Sequence, residues 1–523
     1  MKGAIAAGHP LTAEAGARVL AEGGNAVDAC LAAAFTSWVA ESPLTGPGGG
    51  GFLLVHRARA GRSRLLDFFV AVPGAGLGTG AIREMEKIDV DFDSSTTQAF
   101  GIGVASAAVP GMVAGLETAH RAYGRVPWAE LFEPAIDLAR NGVVLTREQG
   151  YLHAILDTIL RHTDSGRAIY GPAGERLAAG DILKMTDLAS TLELLADEGA
   201  APFYEGYLAD RLATHIRAEG GPLTREDLRG YRVIWRRPID VSFLGDRFVS
   251  NPPPSSGGVL IAYGLLLLDR VGVGGGPGTA GAIERLVAVM REQTVARGGD
   301  FARALYRGGL TERLCGEERV EAAVERLGQG LGRALREPPE PSRTTHISVV
   351  DADGNAASLT ASTGSGSGVV VPGTGVQLNN MLGEHHLNLA RRRQQPGGRL
   401  SSMMAPSIVL QDARPRLVVG SAGSARLRGA ILQIAVNTIG HGLPVEDAIN
   451  APRVHVDEGH VHCEGGSDPA ELAELERRGY DVVRWRRRNL YFGGAAAVEV
   501  KPDGTLAAAG DPRRGGHGIV VGD

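Results

Sequence analysis

The chain has only three cysteines, Cys30, Cys315 and Cys463, and their number and spacing match neither a disulfide framework nor a metal-binding pattern. Aromatic residues make up 5% of the 523 residues, and the net charge is −5. So weak a charge gives no reason to expect nucleic acid or an anionic membrane as a partner. The sequence also lacks an apolar signal-peptide core and any run of about 20 apolar residues, so we expect a cytoplasmic protein without a membrane span.

Glycine is the residue that the chain has in excess. Its 75 glycines are roughly twice the usual share for a chain of this length. They lie in short runs rather than at a fixed period, which excludes collagen and indicates many tight turns and close backbone approaches. The run from Gly46 to Phe52 lacks the lysine and hydroxyl residues of a phosphate loop, and we interpret it as a sharp entry into a strand.

Capping residues and apolar periodicity predict the regular elements. Asn25 caps a helix over Ala26 to Ala40, with Asp28 as its capping-box partner. The region from Ala280 to Arg336 is predicted to be helical with many charges. Near the C-terminus we expect two short strands around the turn at Pro502 to Gly504.

A pair of threonines begins the most regular motif of the sequence. After the polar, proline-rich segment Glu337 to Ser342, the residues His346 to Val350 and Asn355 to Ala361 predict two strands joined by an Asp-Gly turn. Thr344 therefore stands at the start of a hairpin, directly after a flexible connection. Such a threonine pair is usually only a sign of strand propensity, but it also fits one catalytic arrangement.

That arrangement is an N-terminal threonine nucleophile. A threonine hydroxyl is a weak nucleophile unless a base lies beside it. If the chain is cut between Arg343 and Thr344, the new α-amine, with a pKa of about 7.7–8.0, would be that base. The cut divides the chain into a large segment, residues 1–343, and a small segment, residues 344–523.

Several motifs, in one order along the chain, carry a resemblance to a known family. They are G-G-N-A-V-D-A, the glycine run, V-P-G, P-x-S-S-G-G, T-T-H-x-S-V-V-D-x-D-G-N-A with L-N-N, R-L-S-S-M and D-P-R-R-G-G. The chain thereby resembles the γ-glutamyltranspeptidase family of N-terminal-nucleophile hydrolases over nearly its whole length. The resemblance implies an α/β (α+β) fold, a four-layer αββα sandwich in which the large and small segments form one unit.

The resemblance also implies the activity. It points to an amide hydrolase or acyl transferase that cuts its own chain before Thr344 and then acts on γ-glutamyl compounds such as glutathione. The implied partners are the small-molecule amide, water or an amine acceptor, and the two segments of one precursor, while a homo-oligomer stays open. No cofactor and no metal are implied. His455, His460, His462 and Cys463 alternate along strands without a nearby base, and we do not predict a metal site there.

Catalytic roles follow from the resemblance for residues around Thr344. Ser362 stands where the family has a threonine that hydrogen-bonds the nucleophile, and an ordinary strand serine is the alternative. Gly423 and Ser424 match a pair whose backbone N–H groups at a helix start suit an oxyanion, although a plain strand-to-helix turn has the same pattern. His346 is expected to be structural support rather than a second base.

Substrate-binding roles follow in the same way. Glu384 stands where the family has the acidic residue that holds the substrate amine, shortly after the L-N-N motif that contains Asn380. Ser401 and Ser402 match the pair that hydrogen-bonds the α-carboxylate. Gly364 replaces an asparagine that contacts the substrate amino group, which puts that contact in doubt.

The main departure from the family is at Phe69. The family anchors the α-carboxylate with an arginine in a D-F-R-E-x-A-P stretch, and this chain has D-F-F-V-A-V-P. Loss of a buried arginine–carboxylate pair costs about 2–5 kcal/mol unless another arginine, Arg399 or Arg426, reaches the site. A changed acyl group is the simpler inference. Two further hypotheses are therefore an acylase or biosynthetic hydrolase with the same nucleophile, and an uncut, inactive binding module.

Overall fold

The computed structural model describes residues 2–77, 82–93, 96–328, 344–384, 395–423, 426–457 and 459–522. The strands in these residues are β1 (Gly3–Ala7), β2 (Gly50–Arg57), β3 (Arg62–Phe68), β4 (Glu86–Asp93), β5 (Thr96–Ile102), β6 (Val143–Val144), β7 (Ile182–Leu183), β8 (Ile234–Arg236), β9 (Ile239–Phe243), β10 (Asp246–Ser250), β11 (Thr345–Asp351), β12 (Ala356–Ser362), β13 (Val370–Val371), β14 (Val376–Gln377), β15 (Ser407–Gln411), β16 (Arg414–Ala422), β17 (Val454–Asp457), β18 (His460–Cys463), β19 (Val482–Arg484), β20 (Gly494–Val500), β21 (Leu506–Gly510) and β22 (His517–Val521).

The α-helices in the same residues lie mainly in the large segment. They are α1 (Pro10–Ala21), α2 (Ala26–Ala40), α3 (Met112–Tyr123), α4 (Glu133–Asn141), α5 (Arg147–Leu160), α6 (Asp164–Tyr170), α7 (Thr186–Glu198), α8 (Ala201–Tyr204), α9 (Tyr207–Ala218), α10 (Arg225–Gly230), α11 (Gly257–Val271), α12 (Ala280–Ala296), α13 (Phe301–Arg307), α14 (Leu310–Leu314), α15 (Glu317–Gly328), α16 (Arg426–Ala435), α17 (Val445–Asn450) and α18 (Pro469–Arg477). None of these helices is both long enough and apolar enough to cross a membrane.

Two antiparallel sheets face each other at the centre of the molecule. The first has the strand order β22-β1-β11-β12-β2-β3-β8, and the second has the order β21-β20-β16-β15-β10-β9. Phe52, Val350 and Val418 belong to one buried apolar cluster between the sheets. Two larger clusters pack helices against the outer faces, one around α2 and one around α11. The layers are therefore helix, sheet, sheet, helix, which confirms the predicted αββα sandwich.

Local sequence signals placed several elements correctly. Asn25 Oδ1 accepts hydrogen bonds from the backbone N–H groups of Val27 and Asp28, and the Asp28 carboxylate accepts one from Asn25 N at 3.0 Å. This capping box begins α2, and every residue of α2 is buried. The predicted hairpin is also confirmed, because β11 pairs with β12 in a register that sets Thr345 opposite Ala361.

Other elements differ from the prediction. The helical region that begins at Ala280 is divided into four helices, α12 to α15, and the residues from 329 to 336 lie outside the described part of the chain. The C-terminal tail contains a third strand, β22, which pairs with β1 and was not predicted. Its sequence, H-G-I-V-V, is short, and its residues are half-buried or exposed at the sheet edge. A short edge strand of this kind gives no clear alternation of apolar and polar residues.

Candidate active site

Thr344 lies immediately before β11 and is buried. The β11–β12 register pairs Thr345 with Ala361, so the next step along the two strands sets Thr344 opposite Ser362. Ser362 is also buried, and its hydroxyl accepts a hydrogen bond of 2.7 Å from the backbone N–H of Gly364. The two hydroxyl residues named from the sequence are therefore brought together by strand pairing. Arg343 lies outside the described residues.

The side chains that alternate along β11 reach both sides of the first sheet. His346 faces the second sheet, where its ring fills the space that a Cβ at Gly420 would need. Its ring nitrogens are hydrogen-bonded to the hydroxyls of Thr360 (2.8 Å) and Ser348 (2.9 Å). Burial lowers the pKa of His346 to about 3, so the ring is neutral at physiological pH. These contacts match the structural role expected for this histidine.

The glycine run supplies close backbone packing beside Ser362. A Cβ at Gly49 would overlap the carbonyl oxygen of Ser362, and a Cβ at Gly48 would overlap the carbonyl oxygen of Gln377. The run then continues into β2, which pairs with β12. The interpretation as a tight entry into a strand is confirmed, and its physical reason is the short distance between neighbouring backbones.

The end of β16 carries the predicted oxyanion segment. Gly423 follows β16 directly and has a φ of 125°, a value that favours glycine. Its carbonyl oxygen accepts a hydrogen bond of 3.0 Å from the backbone N–H of Arg426, the first residue of α16. Because Gly420 of the same strand contacts His346, this end of β16 lies near the start of β11. Ser424 lies outside the described residues.

Glu384, Asn380 and Gly364 form one buried group. A Cβ at Gly364, where φ is 69°, would overlap Asn380 Oδ1 and crowd Glu384 Oε1. The Glu384 side chain therefore occupies space that is open because Gly364 has no side chain. The Asn380 amide accepts a hydrogen bond from Ser365 N (2.8 Å) and donates one to Gly101 O (3.3 Å). These contacts hold the Asn380 amide against the backbone of Ser365 and Gly101, close to Glu384.

Ser401 and Ser402 lie next to the predicted rigid loop before α11. Both serines are buried. The carbonyl oxygen of Ser402 accepts hydrogen bonds from Ser256 N (2.7 Å) and from the Ser255 hydroxyl (3.2 Å). The Ser402 hydroxyl in turn accepts a hydrogen bond of 3.0 Å from Met404 N. The P-x-S-S-G-G and R-L-S-S-M motifs therefore form a single backbone network.

Phe69 and Arg399 have clear structural partners. The Phe69 ring is fully buried in the cluster between the sheets and stacks on Phe52, with ring centroids 5.4 Å apart. Arg399 Nε lies 3.1 Å from the buried carboxylate of Asp67, and its Nη1 donates to the Tyr231 hydroxyl at 2.7 Å. The Arg399 guanidinium is thus engaged within the protein rather than turned toward a substrate.

The histidines near the C-terminus form an aromatic cluster. The rings of Tyr491 and Trp485 are stacked with their centroids 4.8 Å apart, and the centroid of the His462 ring lies 5.5 Å from that of Tyr491. The Arg426 guanidinium lies 4.4 Å above the Tyr491 ring. No group of three or more metal-ligating side chains is present in the described part of the chain. Cys463 is buried, and burial raises the pKa of its thiol to about 12.

Sequence reasoning missed a buried carboxylate that contacts Thr345, the residue after Thr344. Glu41, at the C-terminal end of α2, accepts hydrogen bonds from the Thr345 hydroxyl (2.6 Å) and from the Thr12 hydroxyl (2.8 Å). Burial raises the pKa of Glu41, and the two hydrogen bonds only partly offset this effect. Glu41 is distant from Thr345 in the sequence and belongs to no recognised motif, so no local signal pointed to it.

Comparisons with known proteins agree with this arrangement. The family model described as Gamma-glutamyltranspeptidase matches residues 12–521. The glutathione hydrolase proenzyme of Escherichia coli K12 is 31% identical over 98% of this chain and 90% of its own length. The acylase ACY 1 proenzyme of Pseudomonas sp. SE83 is 32% identical over 99% of this chain and 94% of its own.

A solved structure extends these similarities to the fold. The crystal structure of cephalosporin acylase from Bacillus halodurans matches with a TM-score of 0.84 and 26% identity, and the match covers 99% of this chain and 95% of that one. The relatives thus include both glutathione hydrolases and acylases. The chain belongs to the γ-glutamyltranspeptidase family of N-terminal-nucleophile hydrolases.

Proposed function

We propose that Thr344, released by self-cleavage after Arg343, is the nucleophile of this amide hydrolase or acyl transferase. The observation that carries the proposal is the position of Thr344, which directly precedes β11, opposite Ser362 and near the Gly423 end of β16. A hydroxyl, its own α-amine and backbone donors for an oxyanion would then meet at one point.

Maturation in this proposal uses the same hydroxyl as turnover. Thr344 Oγ1 attacks the carbonyl carbon of Arg343, the C–N bond between the two residues breaks, and an ester to Oγ1 forms. The hydroxyl proton goes to the nitrogen, which becomes the α-amine. Water then hydrolyses the ester, which frees the hydroxyl and leaves a carboxylate on Arg343.

Turnover repeats the attack on a substrate amide. The α-amine accepts the hydroxyl proton while Oγ1 attacks the acyl carbon, and the backbone N–H groups of Gly423 and Ser424 stabilise the oxyanion. The proton then passes to the departing amine. Water or an amine acceptor attacks the resulting ester and regenerates Thr344.

Interleaved strands support a processed enzyme that stays in one piece. In the first sheet, β1 of the large segment lies between β22 and β11 of the small segment. In the second sheet, β10 of the large segment pairs with β15 of the small segment. Separation of the segments would break both ladders and expose the cluster between the sheets. We therefore propose that residues 1–343 and 344–523 remain associated after the cut.

γ-Glutamyl compounds such as glutathione are the first donors that we propose. Their α-amine is a cation that the buried Glu384 carboxylate would hold, and their α-carboxylate would accept hydrogen bonds from Ser401 and Ser402. The glutathione hydrolase proenzymes among the relatives support this donor class.

One observation favours a second candidate, an acylase for a less polar acyl group. Phe69, Met381 and Leu400 belong to the same buried apolar cluster, and Leu400 directly precedes Ser401. Phe69 and Met381 both replace polar residues that the family resemblance would predict. Loss of polar side chains at these positions removes anchors for a carboxylate and fits an acyl chain with fewer polar groups. The acylase relatives support this candidate.

Two measurements test the proposal. The intact mass of the purified chain, beside a Thr344→Ala variant, should show two fragments that meet at the Arg343–Thr344 bond only in the wild type. Four p-nitroanilide donors then separate the two candidates: γ-glutamyl, glutaryl, 4-aminobutanoyl and butanoyl. All four acyl groups contain the same butanoyl backbone, and they differ only in whether its fourth carbon carries an amine, a carboxylate, both or neither. The γ-glutamyl function predicts loss of rate when the amine is removed, whereas the acylase does not. An uncut wild-type chain that hydrolyses none of the donors would favour the inactive binding module.

A further inference from the structure

Arg514 lies at the end of the strand pair that presents Gly423. It ends a short turn, Pro512–Arg514, and its side chain occupies the space that a Cβ at Gly494 would need. Gly494 pairs with Ala422, the residue immediately before Gly423. The Arg514 side chain therefore crosses the Gly423 end of the β16–β20 pair, where the proposed oxyanion segment begins.

Arg514 is half-buried, and two of its three guanidinium nitrogens have no hydrogen-bond partner among the described residues. These two nitrogens, Nε and Nη1, are inaccessible to solvent. The nearby Asp511 is engaged elsewhere, because it binds Arg453 (2.6 Å) and Arg513 (3.1 Å). Buried polar atoms are nearly always paired, so these two nitrogens leave hydrogen bonds that a ligand could accept.

A second cation, Arg426, follows the same Gly423 segment, because its backbone N–H donates to the carbonyl oxygen of Gly423. Burial and the positive charge of Arg426 lower the pKa of Arg514 to about 10, so it remains charged at neutral pH. Arg426 is the first residue of α16, where it lies above the Tyr491 ring. The Glu41 carboxylate also acts on Arg514, but no ion pair joins the two among the described residues, and the Glu41 oxygens accept hydrogen bonds from the Thr345 and Thr12 hydroxyls. Two neighbouring like charges favour an anion beside them.

We propose that Arg514, with Arg426 beside it, binds a carboxylate of the acyl donor. A guanidinium is suited to this because it donates two parallel hydrogen bonds to a carboxylate. This anchor would take over the role that an arginine at position 69 has in the family, and it approaches from the Gly423 side of the nucleophile instead. The inference rests on the proposed function of Thr344. It assigns the donors to the class of amides whose acyl group carries a free carboxylate.

The test compares glutaryl and butanoyl p-nitroanilides, which differ by one carboxylate. The Arg514→Gln variant should lower the ratio of their kcat/KM values by about 30-fold or more, the effect expected when a buried charged partner is lost. Arg514→Lys should recover part of the ratio because it keeps the charge. Arg59→Gln removes a charge from an exposed residue and should leave the ratio unchanged.

Binding gives a second readout that does not need turnover. By calorimetry, wild-type protein should bind glutarate more tightly than butanoate, and Arg514→Gln should abolish that preference. Equal loss of rate on both donors, an unchanged ratio, or an Arg514→Gln chain that no longer cuts itself would each overturn the assignment. Failure of the wild type to hydrolyse any donor would overturn the proposed function instead, while the glutarate preference would still decide whether Arg514 binds a carboxylate.

Discussion

Glu41 and Thr345 share a buried hydrogen bond of 2.6 Å that joins the C-terminal end of α2 to the residue after Thr344. A Cβ at Gly8 would overlap the same carboxylate, so the turn after β1 and the end of α2 both enclose this contact. The contact lies on the face of β11 opposite the face that contacts the second sheet. It therefore fixes the backbone next to Thr344 from that face of the sheet.

We expect Glu41→Gln to slow self-cleavage by about 10-fold or more. A glutamine has one acceptor oxygen instead of two, so one threonine hydroxyl must turn from donor to acceptor of the NH₂ group, and the stronger hydrogen bonds to a carboxylate are replaced by neutral ones. The attack of Oγ1 on the preceding carbonyl depends on a backbone held to within a fraction of an ångström. The rate of appearance of the two fragments, followed by intact mass, measures the effect.

Two matched variants decide whether the carboxylate acts through Thr345. Thr12→Val removes the other hydroxyl that Glu41 accepts, while Thr345→Val removes the one beside the nucleophile. We expect Thr345→Val to slow the cut more than Thr12→Val does. Equal effects of the two valine variants would show that Glu41 contributes only to general stability.

Stability should fall in acid because of His346. Burial holds its pKa at about 3, well below the ordinary value of 6.5, so the unfolded chain takes up a proton that the folded chain refuses. The stability due to this group is complete above about pH 6.5 and is lost as the pH falls toward the folded pKa. The loss from pH 7 to pH 4.5 should be about 2–3 kcal/mol. His346→Gln should flatten this limb in urea unfolding, and the exposed His517→Gln should not.

Gly364 and Glu384 should behave as one coupled pair. Gly364→Asn alone should reduce γ-glutamyl hydrolysis sharply, because its Cβ would overlap Asn380 Oδ1 and crowd Glu384. Glu384→Asp shortens the neighbour, so the double variant should regain at least about 10-fold in kcat/KM, a coupling of about 1.4 kcal/mol. Gly504→Asn is the control, since φ there is 82° and no atom lies near its Cβ position. Additive effects of the two substitutions would contradict direct contact.

Local signals and long-range contacts differ in how well the sequence predicts them. The α2 capping box and the β11–β12 hairpin depend on residues within a few positions of one another, and both are present as expected. The pairing of Thr344 with Ser362 then follows from the hairpin register alone. These features were predictable because the physical interaction and the sequence pattern have the same short range.

The remaining contacts depend on the arrangement of the two sheets. Glu41 reaches Thr345, and Arg514 reaches Gly494, only because distant strands are adjacent in space. The family motifs also could not show that Arg399 is engaged by Asp67. A motif gives the identity of a residue, whereas its partner depends on which strand lies beside it.

The role of Arg399 can be separated from substrate binding by experiment. Arg399→Gln should destabilise the protein by about 2–4 kcal/mol, because it leaves the fully buried Asp67 with Arg236 as its remaining cation. Tyr231→Phe, which removes a neutral acceptor of Arg399, should cost less. The ratio of kcat/KM for γ-glutamyl and 4-aminobutanoyl donors, which differ by one carboxylate, should stay constant in both variants. A fall in that ratio without a shift in the urea midpoint would mean that Arg399 leaves Asp67 and binds the substrate carboxylate itself.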